Sequence, residues 1–133
     1  MTGALTTDQK GSAAEMAIAF HAMKLGIDVY RPVADGGRYD LIFDLGVRLD
    51  RVQCKYAPLQ GDTIVVRIYS TRRAARGPVR KRYAPGEIDA VAAYCLEVDG
   101  CFYLTEATVA GRTQIMLRVA PSRHNQAAGV NWA

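Results

Sequence analysis

The sequence predicts an α+β fold in which one N-terminal helix precedes a meander of strands. Apolar residues recur at helical spacing near the N-terminus, and beyond residue 27 short strand-like segments alternate with turns rich in glycine and proline. With 133 residues, the chain has the size of one domain, which we expect to span residues 1–133. The helical stripe consists of Ala14, Ala17, Ile18, His21 and Leu25.

The helix is bounded by recognisable end signals. Thr7 or Asp8 is a suitable N-cap for a helix that begins near Gln9, because either side chain can accept from a free backbone N–H. Gly26 is suited to the left-handed residue that ends a helix. A short strand follows at 27–33, where Pro32 ends it or places it at a sheet edge.

The next segments predict a hairpin and then further strands. Residues 39–45 and 48–56 alternate between apolar and polar residues on either side of Gly46, and 63–70 is rich in β-branched residues. Residues 87–97 fit a helix or a strand. The turn signal at 99–100 favours a strand at 91–97 that pairs with 101–105, after a helical turn at 86–90. One helical turn at 105–109 and a strand at 113–119 complete the prediction.

The hairpin carries polar residues where a small domain usually has apolar ones. Because side chains alternate along a strand, Gln53 and Lys55 share one face, and an antiparallel partner brings Asp40 across from them. We expect Glu15, on the preceding helix, to pack over that face. Taken singly, Asp40 fits a turn residue and Lys55 a lysine that extends its ammonium to solvent. Together these groups require mutual pairing or a metal ion.

Positive charge is concentrated in one segment of a chain whose net charge is +4. Residues 63–86 contain no acidic residue and hold seven of the 17 lysines and arginines. The charge run by itself is compatible with a solvated loop and with an element that contacts nucleic-acid phosphates. The seven residues are Arg67, Arg72, Arg73, Arg76, Arg80, Lys81 and Arg82.

Other composition features argue against secretion, membrane insertion and structural zinc. Cys54, Cys95 and Cys101 form an odd set without CxxC spacing, as expected of reduced thiols in a cytoplasmic protein. No apolar run approaches the roughly 18 residues that span a bilayer, and the N-terminus has no signal-peptide pattern. We therefore expect a cytoplasmic protein without membrane association.

The spacing of Glu15, "YD" at 39–40 and "QCK" at 53–55 resembles the PD-(D/E)XK nuclease superfamily. Tyr39 stands in place of the proline, and Gln53 in place of the usual acidic residue. The Gln-x-Lys variant is similar to the subgroup that includes a group I intron homing endonuclease. The resemblance implies a restriction-endonuclease-like core and a metal-dependent DNA endonuclease of the homing type.

The resemblance also implies roles for the polar residues. Asp40, Gln53 and Glu15 would bind Mg²⁺, with Mn²⁺ as the alternative ion, and Lys55 would orient or deprotonate the attacking water. The seven basic residues, together with Tyr69 on the face of Arg67, would contact double-stranded DNA. Cutting both strands implies self-association as a dimer or tetramer.

Three other functions are compatible with these residues. A Holliday-junction resolvase-like nuclease needs the same small, basic, dimeric fold. A catalytically impaired DNA-binding module would explain Gln53. A structural protein with a solvated basic loop would show no salt-dependent affinity for DNA.

Overall fold

The computed structural model describes residues 3–34, 36–74, 77–81, 83–119 and 130–132, without the side chains of 70–74, 77–81 and 130–132. An N-terminal helix is followed by strands and one short helix, so the predicted α+β class is confirmed. The elements are α1 (Thr7–Lys24), β1 (Asp28–Tyr30), β2 (Leu41–Asp44), β3 (Leu49–Tyr56), β4 (Leu59–Gln60), β5 (Thr63–Arg67), β6 (Ser70–Ala74), β7 (Gly77–Lys81), β8 (Ala90–Cys95), β9 (Gly100–Thr105), α2 (Glu106–Val109), β10 (Gln114–Arg118) and β11 (Val130–Trp132).

Helix α1 is closed at both ends by its own sequence. Thr6 is the N-cap, directly before Thr7 and Asp8, the two expected positions. Thr6 and Gln9 form a reciprocal pair in which each side chain accepts from the other residue's backbone N–H. At the other end, Gly26 has a φ of 83° and donates to Met23, while the next residue donates to Ala22. This is a Schellman ending, as the glycine predicts.

The described strands form three sheets. The first has five strands in the order β1-β2-β3-β8-β9, in which only β3 and β8 run parallel. The second has the order β11-β10-β5-β4, and the third is the two-stranded hairpin β6-β7. Because β8 adds alongside β3, the strand that carries Gln53 and Lys55 lies at the centre of the five-stranded sheet.

The five-stranded sheet is covered on both faces. Helix α1 packs on the face of Leu41, Phe43 and Val52, through Ala14 and Ile18. Val91 and Ala93, on the other face, pack against Ile64, Val66, Ile115 and Leu117 of the second sheet. Ile18 is 2% exposed, and burying such a side chain contributes about 1.5–3 kcal/mol. Gln53 and Lys55 therefore lie on a central strand of a sheet that is held between two hydrophobic cores.

Several boundaries differ from the sequence prediction. Strand β5 ends at Arg67 and not at residue 70, residues 86–90 form no helical turn, and β8 begins at Ala90. Leu25, which belongs to the predicted apolar stripe, is 67% exposed and is the C-cap, one residue beyond the end of the helix. No helix in the described part of the chain is long and apolar enough to cross a membrane.

Candidate active site

Asp40 directly precedes β2, and the register of β2 with β3 brings it across from Gln53, as the hairpin geometry predicts. The backbone N–H of Asp40 donates to the Val52 carbonyl at 2.9 Å, and the register pairs Leu41 with Val52. The backbone N–H of Cys54 donates to Oδ2 of Asp40 at 2.9 Å. The Asp40 carboxylate is thus fixed to the main chain of β3 between Gln53 and Lys55.

The groups around the Asp40 carboxylate do not fully offset the cost of burying its negative charge. Burial raises its pKa more than the Cys54 N–H and the charges of Lys55 and Arg31 together lower it. A carboxylate in this environment is stabilised by any cation that binds beside it. Burial also raises the pKa of the Cys54 thiol, with Asp40 and Glu15 adding to the effect, so the thiol stays protonated at neutral pH.

Lys55 is held on the opposite face of β3 from α1. Its Nζ donates to the Tyr69 carbonyl at 2.7 Å and lies 5.6 Å from the centre of the Tyr83 ring. Burial lowers the pKa of Lys55 more than the charge of Asp40 raises it, and the charge of Arg38 lowers it further. Lys55 therefore releases its proton more readily than a solvated lysine, which suits a residue that acts on water.

Two residues beside Lys55 were not found by sequence reasoning. The Arg38 guanidinium stacks 4.1 Å from the Tyr83 ring and donates from Nε to Glu87 at 2.7 Å. The Tyr83 hydroxyl is buried and has no hydrogen-bond partner within the described part of the chain. Arg38 precedes the "YD" pair, and Tyr83 follows Arg82, the last basic residue of the segment. Their sequence positions are the only signal that could have indicated them.

Glu15 reaches the site from a different side than expected. Helix α1 packs on the Val52 face of β3, not on the face of Gln53 and Lys55, because Ala14 and Ile18 are its buried residues. Glu15 and Asp40 still line one cavity of about 280 Å³, which we call the carboxylate pocket; Arg31 and Tyr39 also line it. Gln53 and Lys55 are not among the described residues that line it.

Glu15 is also paired in the carboxylate pocket. Nη2 of Arg31 lies 2.9 Å from Oε1 of Glu15, in an ion pair whose side chains are 64% and 27% exposed respectively. The sequence places Arg31 just after β1, but its contact with the helix could not be read from the sequence because it depends on how α1 packs.

The basic segment forms a β-hairpin where the sequence suggested a loop. Strand β6 carries Arg72 and Arg73, and β7 carries Arg80 and Lys81; register pairs include Thr71 with Arg80 and Arg72 with Val79. Arg67 is exposed at the end of β5, and Tyr69 follows that strand, so the two do not share a strand face as expected. Arg76 and Arg82 lie outside the described residues.

Comparison with known proteins places the chain in a class. Residues 5–133 match the PD-(D/E)XK endonuclease family, so the chain belongs to this family of nucleases. A solved bacterial homing endonuclease, I-Ssp6803I, is similar at 26% sequence identity and a TM-score of 0.78, over 94% of this chain and 86% of that one. A search of curated proteins finds no match. The resemblance to the superfamily and the restriction-endonuclease-like fold are thereby confirmed.

Nucleases of this family generally use divalent metal ions, and the donor atoms of the candidate residues are of the type that such an ion accepts. No group of three or more His, Cys, Asp and Glu side chains is arranged as a metal site among the described residues. The set here consists of the carboxylates of Glu15 and Asp40 and the amide oxygen of Gln53, all oxygen donors that Mg²⁺ accepts. Nε2 of Gln53 faces the Cys54 carbonyl at 3.4 Å, so the side-chain oxygen would be the ligand.

Proposed function

We propose that the chain is a divalent-metal-dependent endonuclease that cuts double-stranded DNA as a homing-type enzyme. The observation that carries the proposal is the fixed arrangement of Asp40, Gln53 and Lys55 at one end of the central strands, in a fold shared with a bacterial homing endonuclease. Glu15 completes the set from the carboxylate pocket. Mg²⁺ is the proposed ion, and Mn²⁺ is the alternative.

The residues divide the work of phosphodiester hydrolysis, in which a water oxygen bonds to phosphorus and one phosphorus–oxygen ester bond breaks. Asp40, Gln53 and Glu15 would hold the metal, which supplies positive charge to the phosphate and acidifies bound water. Lys55 would orient the attacking water through Nζ, take up its proton, or offset charge that develops on the phosphate. Burial lowers the pKa of the Lys55 ammonium, so more of the side chain is the neutral amine that could accept a proton from water.

The β6–β7 hairpin is the proposed DNA-contacting element. It begins at Ser70, directly after the carbonyl that binds Lys55, so it lies one residue from the catalytic set. A two-stranded ribbon fits the major groove of B-DNA, and arginines contact phosphates and base edges. Arg67 and Tyr69 precede the hairpin, and the basic residues proposed to contact DNA are Arg67, Arg72, Arg73, Arg76, Arg80, Lys81 and Arg82.

Self-association is part of the proposal, because one catalytic set cuts one strand. Three large apolar side chains of α1 are exposed at helical spacing: Met16, Phe20 and Met23 at 67%, 59% and 55%. A second copy of this chain is the occupant that would cover this stripe, giving the two sites that double-strand cleavage needs. The molar mass in solution, measured by light scattering, separates a dimer from a tetramer.

Cleavage of supercoiled plasmid tests the enzyme proposal. We expect Mg²⁺-dependent nicking by the wild type and a loss of about 10²- to 10⁴-fold in Asp40→Asn and Lys55→Met. Asp44→Asn is the matched control, since it removes one carboxylate charge from β2, which begins directly after Asp40. Oδ1 of Asp44 accepts from the Gly46 N–H at 2.9 Å, a bond that the Asn oxygen can also accept. Equal, negligible cleavage by all four proteins, with DNA binding intact, would identify a catalytically impaired DNA-binding module.

The substrate proposal needs its own experiment. Sequencing of products from a randomised linear duplex pool, beside cleavage of a four-way junction, separates homing-type cutting from resolvase-like cutting. A recurrent duplex site supports the homing proposal. Cleavage confined to the junction contradicts it and favours the resolvase-like alternative.

A further inference from the structure

Arg31 is the cation of the carboxylate pocket. It follows β1 directly, its side chain is 64% exposed, and Nη2 is 2.9 Å from Oε1 of Glu15. Of the described residues that line the pocket, Arg31 alone carries a positive charge. Its charge also acts on Asp40, whose pKa it lowers after the Cys54 N–H and Lys55. Arg31 thus balances both carboxylates when no other cation is bound.

The Arg31–Glu15 pair is easy to break. Both partners are partly solvated, and exposed ion pairs contribute little to stability because water screens them. A divalent ion held by Glu15 and Asp40 would remove the carboxylate partner of Arg31 and add positive charge close to its guanidinium. The guanidinium would then gain more from an anion than from its present position.

A DNA phosphate is the anion that reaches this place. Asp40 and the exposed Arg31 side chain line the same pocket, so a phosphodiester that binds at Asp40 from this pocket would lie beside the guanidinium. Guanidinium forms a planar fork that matches two phosphate oxygens, and arginine keeps its charge at every relevant pH.

We propose that Arg31 is a phosphate-binding residue that pairs with Glu15 in the metal-free protein and exchanges it for a DNA phosphate when metal is bound. The inference rests on the proposed function, since it needs a metal at the carboxylates and DNA at the pocket. In the metal-free protein, the ion pair with Arg31 would hold the Glu15 carboxylate in position for the metal. It would then join the substrate-binding surface.

The test measures binding without cleavage, with Ca²⁺ in place of Mg²⁺. We expect Arg31→Gln to bind Ca²⁺ about two- to fivefold more tightly in calorimetry without DNA, because Glu15 is released from its pair. Its affinity for duplex DNA in Ca²⁺ should fall about tenfold by fluorescence anisotropy, which corresponds to about 1.4 kcal/mol. In EDTA the DNA affinity of Arg31→Gln should stay within about twofold of the wild type. In Ca²⁺ the DNA affinity of Arg31→Lys should lie between those of the wild type and Arg31→Gln.

Arg48→Gln is the matched control. Arg48 is 63% exposed, as Arg31 is 64% exposed, and pairs with Asp50 at 2.8 Å, so the substitution removes an equally exposed charge away from the carboxylate pocket. Asp50 is buried, and it keeps the hydrogen bond that the Tyr103 hydroxyl donates to it. A thermal melt of each variant confirms that it is folded. We expect Arg48→Gln to keep wild-type affinity for Ca²⁺.

The outcomes separate this inference from the proposed function. A wild type that binds neither Ca²⁺ nor DNA overturns the proposed function and the inference with it. A wild type that binds both, with Arg31→Gln equal to it in both affinities, overturns the inference alone and assigns Arg31 a purely structural role. Weaker Ca²⁺ binding by Arg31→Gln also overturns it, because Arg31 would then assist the metal site.

Discussion

The contact between Asp89 and Arg51 allows a stability prediction with a definite pH dependence. Asp89 accepts from the Arg51 backbone N–H at 2.7 Å, from Nε at 3.0 Å and from Nη2 at 3.3 Å, and its own N–H donates to the Arg51 carbonyl at 2.8 Å. These bonds lie where the parallel pairing of β3 and β8 begins, with Val52 opposite Ala90. Asp89→Asn keeps the shape and one acceptor but loses the charge.

We expect Asp89→Asn to lower the free energy of unfolding by about 1–2 kcal/mol at pH 7.5. Hydrogen bonds to a charged group contribute about 1.5–3 kcal/mol. Here the value is reduced because the Arg51 and Asp89 side chains are 37% and 31% exposed. Asn also keeps the bond to the Arg51 backbone N–H. Urea unfolding in EDTA measures the difference, with the slope of the transition checked for constancy.

The pH dependence follows from the Asp89 pKa, which the side-chain hydrogen bond from Arg51 lowers despite partial burial. A lowered native pKa means that the contribution is complete above the unfolded pKa of about 3.9 and is lost as pH falls through the native pKa. The variant and the wild type should therefore converge below about pH 4. Asp62→Asn is the control, because its pair with Arg118 is 3.4 Å long and Asp62 is 52% exposed. If Asp89→Asn lowers the free energy of unfolding by less than about 0.5 kcal/mol, or by an amount that does not depend on pH, the reasoning is refuted.

Two further predictions concern the site and the assembly. In EDTA at neutral pH, Asp40→Asn should raise the free energy of unfolding by about 0.5–2 kcal/mol. Burial disfavours the Asp40 charge, and the amide oxygen of Asn keeps the bond from the Cys54 N–H. A free energy below that of the wild type in urea unfolding contradicts this. Phe20→Ser should raise the dissociation constant of the oligomer at least about tenfold, measured by light scattering on dilution, whereas a monomeric wild type contradicts the proposed interface.

The local parts of the site could be predicted because they depend on short-range rules. Alternation and the turn at Gly46 placed Asp40 opposite Gln53, and the structure has that register. The end of α1 at Gly26 followed from its backbone conformation.

The remainder depends on tertiary packing. The face on which α1 lies decides how Glu15 approaches, and the sequence prediction was wrong about that face. The contact between Arg38 and Glu87 joins residues 49 positions apart, and Tyr83 packs beside it, so no local pattern indicates this cluster. The sequence prediction missed the basic hairpin because a run of like charges does not indicate which main-chain segments pair.

The bond from Lys55 to the Tyr69 carbonyl has a consequence for retargeting this protein. That carbonyl belongs to the peptide unit that enters the β6–β7 hairpin, so one planar group is shared by this proposed DNA-contacting arm and the proposed catalytic lysine. Rotating this peptide plane to seat the arm differently on DNA would turn the acceptor away from the 2.7 Å bond. A library of altered hairpins should therefore keep residues 69 and 70 fixed and vary the arm beyond them.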